Sequence, residues 1–237
     1  MKKIIYLIIL LLFTVFIAKN CKSTSGNNNI VTDIDGNTYQ TVVINNQIWM
    51  QENLRTTRYN DGTPIPNITN NTEWRHQDTP AYTIYDNDLE NKAIYGVLYN
   101  WYAVGDRPGL CPKGWYVPSD SDWKILEQYL GMSIDDIKST GIRGSKASGQ
   151  LKKSETTKWD ESNISATNKT EFTAIPSGRR DARGEFIGLS ASFTTWTSTD
   201  KTKSSATYRH LPAANDGIGR NPEGDKKIGF AVRCIKK

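Results

Sequence analysis

Pro118-Ser119-Asp120-Ser121-Asp122-Trp123-Lys124-Ile125-Leu126-Glu127-Gln128-Tyr129-Leu130-Gly131 is the stretch from which the fold is read. Ser119 can cap a helix, and Asp122 follows three places later, an acidic variant of the capping box. Trp123, Leu126, Tyr129 and Leu130 recur at helical spacing and predict one apolar face. Gly131 supplies a stop. A weaker helix is predicted over 134–140. Upstream, Tyr95-Gly96-Val97-Leu98-Tyr99-Asn100-Trp101-Tyr102-Ala103-Val104 is a dense aromatic strand or short helix suited to a core.

Working outward, both ends of the chain change to β-type patterning. Residues 31–50 hold β-rich runs on either side of Asp35-Gly36, with Asn45-Asn46 as a second turn, which predicts a hairpin extended into a small meander. Phe193–Thr199, Ala206–Leu211 and Ile228–Ile235 predict C-terminal antiparallel strands. Residues 55–92 and 141–170 are rich in turn-forming and polar types and predict long irregular segments, the second around Trp159. β-segments flanking one or two helices define an α+β domain. No fixed-period repeat is present, which excludes a solenoid or propeller.

The first residues carry an address. Ile4 to Ala18 form a 15-residue apolar run behind Lys2 and Lys3, short for a spanning helix and matched to a secretory signal. The run ends at Ala18-Lys19-Asn20-Cys21, and a polar tract follows. A Cys in that place resembles a bacterial lipoprotein signal, in which the thiol receives a diacylglycerol. Ala18 and Asn20 replace the usual Leu and small residue; a cleaved signal that leaves Cys21 free and an uncleaved anchor are the alternatives. The expected organisation is a signal peptide over 1–20, a flexible tether over 21–30 and one domain over 31–237. Residues 1–20 carry Lys2, Lys3 and Lys19 and no acid, so the formal charge of +5 falls by three, to +2, when they are removed. That charge disfavours a nucleic-acid binder. Seven Trp and eleven Tyr exclude ordinary disorder.

With Cys21 lipidated, Cys111 and Cys234 remain, and the economical reading in an oxidising compartment is one disulfide. Two buried thiols, or a nucleophilic Cys111, are the competing readings. No motif places a His beside either Cys.

Several blocks resemble the Fibrobacter succinogenes major paralogous domain, a family of exported bacterial domains. They are Asp33–Tyr39, Trp49–Leu54, Tyr95–Val104 and Cys111–Ser119, continued in order by Ile175–Gly178, Trp196–Thr199 and Gly229–Ile235. The resemblance covers about residues 31–237. It implies a domain often carried on lipoproteins, with no established activity. The helix followed by aromatic β-segments also looks like the C-type-lectin-like fold, which includes sugar binders, adhesins and formylglycine-generating enzymes. Fold does not fix function.

Chemistry-bearing motifs are sparse. His76 and His210 are the two histidines, too few for a His-rich metal site. No phosphate-binding glycine loop, zinc-ligand spacing or nucleophile elbow is present, so no metal or cofactor is expected. The block Trp196-Thr197-Ser198-Thr199-Asp200 lacks the acid–amide pair of lectin calcium sites. Arg179, Arg180 and Arg183 form a cationic run suited to an anion or acidic glycan, or to a solvated loop with salt bridges. Trp159 and Tyr208 lie in loop-like contexts and offer faces on which a sugar ring stacks. The expected site lies within residues 141–183 and 200–224, with Trp159 as the exposed stacking residue.

The sequence therefore predicts a non-enzymatic binding or adhesion lipoprotein. It would be held to the cell envelope, at the outer membrane, by lipid on Cys21, with a glycan or cell-surface protein as partner. A structural envelope lipoprotein without a ligand site is the alternative, and an enzyme on the formylglycine-generating-enzyme-like fold ranks last.

Overall fold

A computed structural model describes residues 29–156, 158–160, 163 and 165–237. The expected signal peptide, Cys21 and the expected tether up to residue 28 lie outside the described residues. The architecture is α+β, with short helices packed among antiparallel sheets. No helix among the described residues is long and apolar enough to cross a membrane.

The N-terminal meander forms as the sequence predicts. Strand β1 (Ile30–Thr32) pairs with β2 (Thr38–Ile44), and β2 pairs with β3 (Gln47–Met50). The first turn is tied by Asp33. Its Oδ1 accepts from the backbone N–H of Asp35 and Asn37, both at 2.9 Å, and its Oδ2 accepts from the Tyr39 hydroxyl at 2.5 Å. The sheet is completed from far along the chain, in the order β1-β2-β3-β13-β6, by β13 (Ile235–Lys236) and β6 (Trp115–Tyr116).

Between these segments run the short helices α1 (Asn71–His76), α2 (Leu89–Tyr95) and α3 (Trp101–Val104). The small ribbon β4 (Tyr82–Thr83) with β5 (Leu98–Tyr99) joins them. The 95–104 block is thus part strand and part helix, and most of it is buried.

Helix α4 (Asp120–Tyr129) carries the expected capping box. The Ser119 hydroxyl accepts from Asp122 N at 3.1 Å, and the Asp122 carboxylate accepts from Ser119 N at 2.8 Å. Trp123, Leu126 and Leu130 are buried as expected, but Tyr129 is 54% exposed. The inward stripe runs Asp120, Trp123, Leu126, Glu127 and Leu130, and Tyr129 falls beyond its edge. The weaker helix is α5 (Ile134–Lys138).

In the C-terminal half the strands expected over 193–199 and 206–211 form, and residues 141–143 and 218–225 are strand where loop was expected. The expected strand over 228–235 is reduced to isolated bridges and its last residues, because it is paired on several sides by short contacts and not along one neighbour. Strands β7 (Gly141–Arg143), β10 (Ser192–Asp200), β11 (Ser205–Pro212) and β12 (Ile218–Asp225) build a four-stranded sheet in the order β10-β11-β12-β7. A ribbon of β8 (Ser177–Arg180) and β9 (Phe186–Leu189) lies beside it. Much of 200–224 is therefore sheet; β12 (Ile-Gly-Arg-Asn-Pro-Glu-Gly-Asp) is defined by its pairing with β11 and β7 rather than by alternation of its own.

Two apolar clusters fill the interior. One surrounds Cys111 and Cys234 with Tyr99, Trp101, Trp196 and Phe230. These two cysteines form a disulfide, with Cα atoms 5.9 Å apart. The other gathers Trp49, Trp123 and Phe172, whose rings meet edge-on at centroid distances of 5.2–5.9 Å.

Candidate functional site

The five ligand-contact residues expected from sequence fall into different environments. Trp159 is only 5% exposed, packs in the second cluster and donates its Nε1–H to the Ala174 carbonyl at 3.3 Å. The expectation of an exposed stacking face is corrected: a large ring with one polar atom is placed where the ring is dry and that atom has a partner. Arg180 is also interior. Its Nε donates to Gly184 O, Nη1 to Ile68 O and the Thr83 hydroxyl, and Nη2 to Thr69 O and Asn71 Oδ1. Trp74 and Phe186 lie against its guanidinium at 4.8 and 4.9 Å. Burial pushes its pKa down to about 10, with Glu185 and Asp181 opposing. Such a guanidinium is a structural cross-link, not a surface donor. Arg183 is exposed at the β8–β9 turn, 3.8 Å from the Asp181 carboxylate.

Arg179 and Tyr208 come together. With Ser192, Thr194, His210, Ile228 and Phe230 they line a cleft of about 260 Å³ on the face of the four-stranded sheet turned away from α4. Strand alternation builds it: Tyr208 and His210 share one face of β11, while Arg209 between them points to the opposite face, toward α4. Thr194 stands opposite His210, and Trp196 opposite Tyr208, on β10. Two glycines of β12 make room for the rings. A Cβ at Gly219 would lie 1.8 Å from His210 Cε1, and one at Gly224 would lie 2.6 Å from Tyr208 Cδ1.

The Tyr208 ring packs on Phe230 at 4.7 Å and edge-on to Trp196 at 6.0 Å. Its hydroxyl accepts from the Asn221 amide at 3.2 Å. Burial lowers the pKa of His210, and the charges of Arg179 and Arg143 lower it further. His210 Nδ1 is buried without a hydrogen-bond partner. In the sequence His210 counts only as one of two histidines, too few for a His-rich metal site. The period-2 pairing with Tyr208 in one β-run was the available signal.

Beneath the sheet, the inward side chains form an ion network with α4. Fully buried Glu127 accepts from Arg143 Nη2 on both oxygens, at 2.8 and 2.7 Å, and from Arg209 Nε at 2.7 Å. Asp120 pairs with Arg209 and Arg220 at 2.8 Å and with Lys124 at 2.9 Å. Burial acts to raise the pKa of Asp120, but the Arg220 hydrogen bonds and the Arg209 charge outweigh it and hold the carboxyl well below its usual range. This network fixes the strands that present the cleft.

Chemically the cleft offers hydrogen-bond donors, hydroxyls and an apolar wall, with no carboxylate in its lining. Among the described residues no three His, Cys, Asp or Glu side chains gather to hold a metal ion. No curated protein and no solved structure matches the chain. Residues 42–236, most of the sequence, match the Fibrobacter succinogenes major domain, and the protein belongs to that family.

Proposed function

We propose that this chain is a non-enzymatic binding module that presents the Arg179–Tyr208 cleft to a glycan. The single observation behind this reading is the convergence of Arg179 of β8 with Tyr208 and His210 of β11 in one concave surface. Sugar rings fit such a place: an apolar face against Tyr208 and Phe230, with hydroxyls against Ser192 and Thr194. The use of Cys111 and Cys234 in a disulfide favours binding over chemistry at a thiol. A C-type-lectin-like arrangement of the α+β fold accords with the same use.

The module is anchored to the cell envelope, at the outer membrane, through diacylglycerol on Cys21, with residues 22–30 as the tether. Mass spectrometry of the membrane fraction is expected to find a diacylated N-terminal Cys21, and Cys21→Ser to release the protein into the soluble fraction. An unmodified Cys21, or a Cys21→Ser chain that stays with the membrane, would overturn the anchor.

The binding reading is tested by screening the full chain, in detergent, against arrays of glycans and envelope proteins. A glycan that binds the wild type and loses most of its affinity with Arg179→Ala and with Tyr208→Ala supports it. Binding that survives both substitutions moves the site elsewhere. A bound protein in place of a glycan makes the module an adhesin for proteins. Silence on both arrays favours a structural envelope lipoprotein.

A further inference from the structure

We infer that the cleft is one end of a groove for an acidic oligosaccharide, with a uronate carboxylate on Arg179 and the next sugar unit across His210. This deepens the binding reading above and rests on it.

The first support is the state of Arg179. Each buried or half-buried arginine among the described residues is matched by a carboxylate, an amide oxygen or a carbonyl, with Arg179 as the exception. Arg55 donates to Thr38 O, Arg143 and Arg209 to Glu127, Arg220 to Asp120, and Arg233 to Asn53 and Phe172 O. Arg180 is saturated as described. Arg179 is half-buried, has no hydrogen bond or ion pair among the described residues, and faces a cleft without an acid. A guanidinium with a free fork in a concave, partly dry place is complementary to a planar carboxylate.

The second support is the extent of the surface. A further cavity of about 600 Å³ meets the first at His210, lined on its far side by Ile142, Asn221 and Pro222. Ile142 is 50% exposed there, an apolar face of the size that a sugar's C–H surface covers. Arg220 also lines this cavity, but its charge is already taken by Asp120, and Glu223 stands at the rim. The second cavity thus suits a neutral face, whereas the first suits an anion. The two are bridged by the Asn221–Tyr208 hydrogen bond. A single sugar acid would fill one cavity; an oligomer fills both.

The experiment is isothermal titration of the full chain in detergent with tetragalacturonate, its neutral methyl ester and galacturonic acid monomer. The acid tetramer is expected to bind at least about tenfold tighter than the ester, as fits one charge-assisted bidentate contact. Arg179→Ala should erase that ratio without moving the melting temperature, because Arg179 holds no partner within the fold. The monomer should bind at least about tenfold more weakly than the tetramer. Gly219→Ala, which pushes the His210 ring from its bed, should narrow that second ratio. Equal affinity for acid and ester, no binding of either, or a ratio unchanged by Arg179→Ala overturns the inference. The glycan array separates the two levels. A neutral glycan held through Arg179 and Tyr208 leaves the binding module standing and removes the acidic groove; silence on the array removes both.

Discussion

Arg179 and Arg180 are neighbours in sequence with opposite fates. The two-residue period of β8 turns one toward the cleft and the other into the interior, where backbone carbonyls take up its donors. A cationic run read from sequence marks the neighbourhood of a site but not which member serves it. Trp159 carries a similar lesson. A single Trp in a Ser-, Lys- and Thr-rich segment has no periodic neighbours to announce a core position, and only its packing against residues from other segments reveals one. Trp159→Ala is therefore expected to cost about 3–5 kcal/mol of stability, the usual range for removing a buried large aromatic. Urea unfolding followed by circular dichroism measures it. A midpoint equal to the wild type's would return Trp159 to the surface.

At the scale of elements, α4 was the most legible piece, because its start is written in local chemistry at Ser119 and Asp122. Its ionic side was not legible. Asp120 and Glu127 look like ordinary exposed helix acids until β7, β11 and β12 deliver Arg143, Arg209 and Arg220. These contacts span long sequence distances, which no local pattern encodes. The same holds for β12, whose glycines, proline and asparagine read as loop yet serve as the bed for Tyr208 and His210. The Asp120 linkage has a definite sign. Its folded pKa lies below its unfolded value, so its stabilisation is fully present above about pH 4 and is lost as the pH falls further. Asp120→Asn, a stand-in for the neutral acid, is expected to be less stable than wild type at pH 7. The gap should narrow between pH 5 and pH 2, as read from urea midpoints at each pH. A gap that stays constant over that window would show that Asp120 is not the linked group.

For the whole molecule, the fold class was within reach of the sequence because both ends carry β-type runs and the centre a capped helix. The division of the C-terminal half into a four-stranded sheet and a separate ribbon was not, since it depends on partners rather than on propensity. The disulfide followed from counting cysteines in a chain whose first residues read as an export signal, and it joins residues 123 positions apart. Cross-linking so long a loop restricts the unfolded chain by an amount worth roughly 4–5 kcal/mol. The Cys111→Ser, Cys234→Ser double variant is expected to lose stability of that order in urea unfolding. A loss under about 1 kcal/mol would mean that the folded state, not the bridge, confines the chain.

Strand β13 sits between β3 and β6, pairing Ile235 with both Trp49 and Tyr116. The inner seam of the first sheet is thus closed by a strand made long after β3. Until β13 is made, the β1–β3 meander waits with its β3 edge unpaired. Completion of this sheet comes late in synthesis, through contacts of the long-range kind that form slowly. An unpaired edge held open for that interval invites pairing with a neighbour's edge. A cell that makes this domain then needs a holding factor for the interval, or a synthesis rate low enough that two waiting meanders seldom meet.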